Sequence, residues 1–284
     1  MSTVIVPKLI SNWQKYNTFL QKHDELLADV FKHYQGKRPK HEYQHVLSSL
    51  LHRHSMNFRV IYLGWGEFLK NSHFKFTIFS LLRPLVADYL LMLYLIEEFK
   101  FKEPTWQGAS EEDWEVDEQD FIKRYETVSS AFFERLNHNL KKKVKNKELS
   151  EDEMNEILSH HHNEFPEYFE NGEVLKRSLS PAQMADRIVK GKLFIKELYE
   201  YYFRLSQFEH FTVITEGLMH DVTHNWEMIH IKEVTDYLLD YMSINLNMLR
   251  VPQEFKNRII DLINEFRSME WQYDVDPTIK SSVK

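Results

Sequence analysis

The sequence contains no cysteine, which excludes a disulfide scaffold, a thiol nucleophile and any cysteine-ligated zinc or haem. Seven glycines and eight prolines in 284 residues leave few of the residues that punctuate sheets and tight turns. No GxxxxGK loop, GxGxxG turn or GxSxG elbow occurs, and no strand–helix alternation exists to host one. The most apolar stretch, FTIFSLLRPLVADYLLMLYLI, is broken by Arg83, Pro84 and Asp88. Its longest unbroken run falls short of the roughly 20 residues that span a bilayer, and charge at mid-membrane depth is costly. A buried helix is expected there, with no membrane as partner. MSTVIVPKLISNW lacks a basic leader followed by a sustained apolar run, so no signal peptide is expected. Together with the missing cysteine, this makes the cytoplasm the expected location. A formal charge of −7 argues against broad nonspecific affinity for nucleic acid.

What is present is bulky and apolar. Twenty Phe and 14 Tyr are far more than a disordered chain carries, and the length suffices for a sizeable core. Apolar spacings of three and four dominate, without a convincing alternating run. The expected fold is all-α, a single multi-helix bundle of about seven to nine helices, with residues 1–284 as one domain. Helices are predicted over Ile10–His33, from Pro39 through HEYQHVLSSLLHRH, and over Phe74–Phe99, where Pro84 should kink or divide the helix. Gly64 and Gly66 suggest a bend or break before it. Further helices are predicted from Asp117 and Asp120 to Lys143, and from a capping box at Ser150 and Glu153 to His160. Ser180, Pro181 and Gln183 form the sharpest boundary, opening a long helix to Phe211. Ile231–Leu249 and Pro252–Met269 complete the set. Irregular linkers are expected near 100–117 and 162–180, and a polar tail at the C-terminus.

The segment YYFRLSQFEHFT carries the main candidate site. At 100° per residue, Met184, Ile188, Ile195, Leu198, Tyr202 and Leu205 form one apolar stripe. Ser206 projects about 40° from its centre, Glu209 about 20° and His210 about 80°, while Arg204 points to the opposite face at about 200°. Buried Ser, Glu or His needs hydrogen-bond partners. Arg83 and Asp88, embedded in the apolar third region, are natural ones, since a lone charge there would be destabilising. The expected polar network is therefore Arg83, Asp88, Ser206, Glu209 and His210, either structural or lining a site for a small partner.

LLRPLVADYLLMLYL, followed more than a hundred residues later by YYFRLSQFEHFT, resembles an uncharacterised family of all-helical bacterial proteins. Its members show an Arg with a nearby acidic residue on one helix and a Ser and His one turn apart on a later one. Arg83, Asp88, Ser206 and His210 match that pattern, which supports the fold and transfers no reaction. Arg204 and His210, five residues between them, also resemble the Arg–His signature of the HEPN superfamily of helical domains. That resemblance implies a homo-oligomer, commonly a dimer, and a metal-independent endoribonuclease of the toxin or antiphage type. His210 would move the proton and Arg204 would steady the phosphate. Leu205 follows Arg204, where many nuclease members carry a polar residue. Within LKKKVKNK, residues Lys141–Lys147 would be a phosphate patch or a solvated helix end.

HEYQH is a literal H-E-x-x-H, in which His41 and His45 could bind zinc with Glu42 as general base. The longer metzincin pattern does not follow. A third ligand would have to come from elsewhere, with His52 and Glu67 in reach in principle. The adjacent His160, His161 and His162 point in different directions, and Glu216, His220 and His224 share a face only if that stretch is helical. No cofactor is expected. A structural or partner-binding helical protein is the leading expectation, with the endoribonuclease and the zinc hydrolase as alternatives.

Overall fold

Spacings of three and four do build helices. The computed structural model describes residues 7–37, 39, 41–68, 70, 74–96, 118–175, 178–188, 193–206 and 225–271. Among these the protein is all-α, with nine helices, short single turns and one two-stranded hairpin. The helices are α1 (Pro7–Tyr34), α2 (Glu42–Gly64), α3 (Phe74–Leu95), α4 (Glu118–Lys145), α5 (Glu151–Glu164), α6 (Pro181–Ile188), α7 (Leu193–Ser206), α8 (Asn225–Met248) and α9 (Gln253–Ser268). Met1–Leu90 together with Leu193–Lys284 make one compact unit, and Leu91–Lys192 make a second.

In the first unit, α1 packs on α2 and α9, and α8 packs on the same two helices. Tyr16, Phe19, Leu20 and Leu27 form the buried stripe of α1, and Leu47, Leu51, Phe58 and Ile61 of α2 and Ile259 and Phe266 of α9 are buried with them; the Phe19 and Phe266 rings meet at 4.6 Å. Each such side chain contributes about 1.5–3 kcal/mol by leaving water. Trp13 and Trp65 fix the register of α1 against the end of α2: each indole N–H donates to the other residue's carbonyl, at 3.0 and 3.1 Å. Tyr16 ties α1 to α8 through Thr235, hydroxyl to hydroxyl at 2.7 Å.

The glycine break comes where α2 passes at Gly64 into a single turn at Trp65–Glu67. The Phe74 ring lies so close to Gly64 that a Cβ there would collide with the ring tip. α3 is not divided: it runs unbroken through Pro84. Proline lacks the amide that would bond to Ser80, yet Leu82, Leu85 and Val86 around it are fully buried, and that packing holds the helix together. α3 is long and apolar enough to cross a membrane, and 67% of its most apolar window is buried within the protein.

The second unit holds the end of α3, then α4, α5 and α6. Ser150 caps α5 as predicted: its hydroxyl accepts from the Glu153 N–H at 3.2 Å, and its own N–H donates to the Glu153 carboxylate at 2.8 Å. Ser180 and Gln183 make the same reciprocal pair at the start of α6. The interval 162–180, expected to be irregular, contains a hairpin that pairs Phe169 with Val174 and Glu170 with Glu173. Asn171 and Gly172 form its turn with φ of 51° and 79°, the left-handed pair that a two-residue turn between twisted strands requires. Phe133 of α4 packs with Tyr168, Phe169 and Val174 into a small core. Ser178 is clamped by Glu134, which accepts both its N–H (2.8 Å) and its hydroxyl (2.7 Å).

The long helix predicted over Gln183–Phe211 is described in two pieces, α6 in the second unit and α7 in the first. Residues 189–192 and 207–211 lie outside the described residues.

Candidate functional site

Met184, Ile188, Ile195, Leu198 and Leu205 are buried as the predicted stripe requires. Glu209 and His210, with Glu216, His220 and His224, lie outside the described residues, as does Asp117. Ser206 ends α7, half-buried, with its hydroxyl donating to the Phe203 carbonyl at 2.5 Å.

Arg83 reaches α7 at a neighbouring position. Its Nη2 donates to the Tyr202 hydroxyl at 3.1 Å, and its guanidinium stands 5.0 Å from the centre of that ring. Asp88 turns the other way, toward α2. Only 3% of its side chain is exposed, and it forms an ion pair with Arg53, accepting a hydrogen bond from Nε at 2.5 Å. The two residues thus anchor different helices on α3. The fork geometry of a guanidinium suits a carboxylate held in this way.

Arg204 is exposed, 3.6 Å from Glu200 one turn earlier and 5.9 Å from the Tyr201 ring centre. Beside it, Tyr201 donates to Glu233 at 2.6 Å and His230 Nδ1 stands 3.3 Å from the same carboxylate oxygen. The His230 contact above all, then the Tyr201 bond, holds the Glu233 carboxyl below its usual range. Burial, then the Glu233 contact, pushes the Tyr201 phenol up. Tyr237 repeats the motif with Glu197 at 2.6 Å. These tyrosine–carboxylate bonds join α7 to α8.

Two buried polar pairs have no counterpart in the predicted network. Lys75 of α3 and Glu227 of α8 form an ion pair at 2.6 Å with 1% and 0% of their side chains exposed. His23 of α1 and His54 of α2 meet at 3.0 Å, both buried, against Phe19, Phe58 and Tyr241. His23 and Lys75 sit at positions that continue the apolar stripes of their helices, which is the one sequence signal that could have revealed them.

HEYQH does not lie on one helix face. His41 precedes α2 in extended conformation, its backbone N–H donating to the Gln44 side chain at 3.4 Å. His45 is exposed one turn into the helix. Among the described residues no group of three or more His, Asp or Glu side chains could hold a metal ion. Both histidines instead line a cavity of about 840 Å³ in the first unit. It is framed by the end of α1, the start of α2 and the residues that close α8. Val30 and Leu51, both buried, supply apolar wall. Lys32, Lys37 and Arg250 are the charged lining residues, and all three are exposed. Ligand cavities fall at about 300–1,000 Å³, so the space suits a small organic molecule.

Fold and cavity together define an all-α protein with a small-molecule-sized opening among three helix ends. Compared with known proteins, the chain matches no family model, no curated protein and no solved structure at a significant level.

Proposed function

We propose that this helical protein binds a small partner in the α1–α2–α8 cavity, and that its polar pairs, Arg83–Tyr202 and Arg53–Asp88, are structural. The carrying observation is the cavity itself: about 840 Å³ with apolar walls and a polar rim of His41, His45 and Ser48. Concave, largely apolar spaces with a few convergent polar groups are where small ligands are held. The core pairs bind helix to helix across contacts that leave Asp88 enclosed. They serve packing, because an enclosed charge is tolerated only when partnered.

The test is a titration with the fluorescent probe 8-anilinonaphthalene-1-sulfonate. Saturable enhancement is expected in the wild type and its loss in Ser48→Trp, which fills the cavity, with far-UV circular dichroism unchanged. Equal enhancement in both proteins, or none in the wild type, would refute the reading.

The endoribonuclease alternative requires a phosphate at Arg204. That guanidinium is paired with Glu200 and close to Glu233, an acidic setting that disfavours an RNA backbone. RNA cleavage by the wild type that disappears in both Arg204→Ala and His210→Ala would install the nuclease in place of the binding protein. Zinc binding abolished by His45→Ala would do the same for the hydrolase.

A further inference from the structure

We infer that the cavity's ligand is a small amphiphilic anion, an apolar body carrying one acid group, and that Arg250 receives the acid. This rests on the binding role proposed above and specifies its chemistry. Among the described residues, three cationic side chains line the cavity, Lys32, Lys37 and Arg250, and no aspartate or glutamate does. Buried Val30 and Leu51 contribute apolar wall, whereas the cations are exposed. Apolar interior and cationic mouth together match a molecule with a greasy body and a charged end.

Arg250 supplies a second, independent observation. It closes α8 with φ of 55°, its N–H donating to the Asn247 carbonyl at 3.0 Å and the next N–H, of Val251, to Leu246 at 3.2 Å. Glycine is the usual residue at this position of a helix end, because a Cβ is disfavoured in the left-handed region. An arginine here costs about 1 kcal/mol relative to glycine. Lys147 closes α4 with the same left-handed cap, φ 59°, so what sets Arg250 apart is that its strained position also lines the cavity. Lys37, 3.0 Å from His33 Nε2, adds a further cation to the lining of the same cavity.

Calorimetric titration of the full chain with decanoate, monodecyl phosphate and 1-decanol, each below its micelle or solubility limit, tests this. Both acids should bind at least about tenfold more tightly than the alcohol, as charge-assisted bonds require. Arg250→Gly should weaken both acids about tenfold, leave decanol unchanged and raise the melting temperature. A weakened but more stable variant separates lost recognition from lost folding. Ser48→Trp should block all three probes. If decanol binds wild type as tightly as decanoate, or Arg250→Gly binds the acids as wild type does, acid recognition is overturned while the cavity stands as a binding site. If the naphthalene sulfonate saturates but none of the three probes binds, acid recognition is likewise overturned, and if the naphthalene sulfonate gives no saturable signal the binding role falls as well.

Discussion

His23 of α1 and His54 of α2 meet Nε2 to Nε2 at 3.0 Å inside the aromatic core. That distance holds one proton: one ring donates and the other accepts, so both are neutral in the fold. Burial pushes His23 down to about 3. Burial, then the neighbouring His23, drives His54 well below the usual histidine value. A histidine whose folded pKa is depressed binds protons more readily unfolded, so stability falls as pH drops. The contribution is complete above about 6.5 and is lost progressively below it, by up to about 1.4 kcal/mol per pH unit for each ring. Urea unfolding between pH 7.5 and 5.0 should show this slope, and the double variant His23→Phe with His54→Leu should flatten it. An unchanged slope in the variant would assign the pH dependence to other groups.

The Lys75–Glu227 pair should behave as an enclosed ion pair. Lys75→Met or Glu227→Leu alone should cost about 3–5 kcal/mol, because each leaves one charge without its partner in the interior. The double substitution should cost much less than the sum, and a cycle of the four proteins in urea measures the coupling. Additive losses would show that the charges do not stabilise each other.

Arg53 and Asp88 should be unequal partners. Half of the Arg53 side chain, 52%, is in solvent, against 3% for Asp88. Arg53→Ala strands an enclosed carboxylate and should cost about 3 kcal/mol. Asp88→Asn frees a guanidinium that can turn to water and should cost about 1 kcal/mol. The reverse order in chemical denaturation would contradict the burial described.

Gly172 should be irreplaceable by a branched residue. Its φ of 79° lies in the left-handed region, so Gly172→Val should destabilise the second unit by about 1–2 kcal/mol or more. Hydrogen exchange at the hairpin amides checks this; unchanged protection would mean the turn relaxes without strain.

The sequence made legible whatever rests on neighbours within a turn or two. Ser150 with Glu153 and Ser180 with Gln183 are reciprocal bonds across three residues, and both form. The α7 stripe could be read from its period alone. The sequence pattern directs Arg83 to the correct helix but does not single out Tyr202, because the angular position of a residue fixes its face but not which hydroxyl lies opposite. Asp88 needed Arg53, which stands 35 residues away on a helix position with no apolar spacing to mark it. Asn171-Gly172 was a readable turn signal hidden inside a polar stretch. The cavity was not readable at all, since it forms only where residues near 30–50 meet Leu249 and Arg250.

The first unit is assembled from stretches on either side of the second. Tyr16 bonds to Thr235, Lys22 to Glu265, and Asn245 to the Leu47 carbonyl, over separations of 219, 243 and 198 residues. On the ribosome, α1 and α2 emerge with their apolar faces formed but α8 and α9 not yet made, whereas residues 91–192 carry their own core in one continuous stretch. Synthesis should therefore complete the later segment before the earlier one closes. Such long-range closure slows folding and exposes apolar surface in the interim. Until α8 and α9 emerge, the apolar faces of the nascent α1–α2 pair lack their partners and offer a surface for a chaperone.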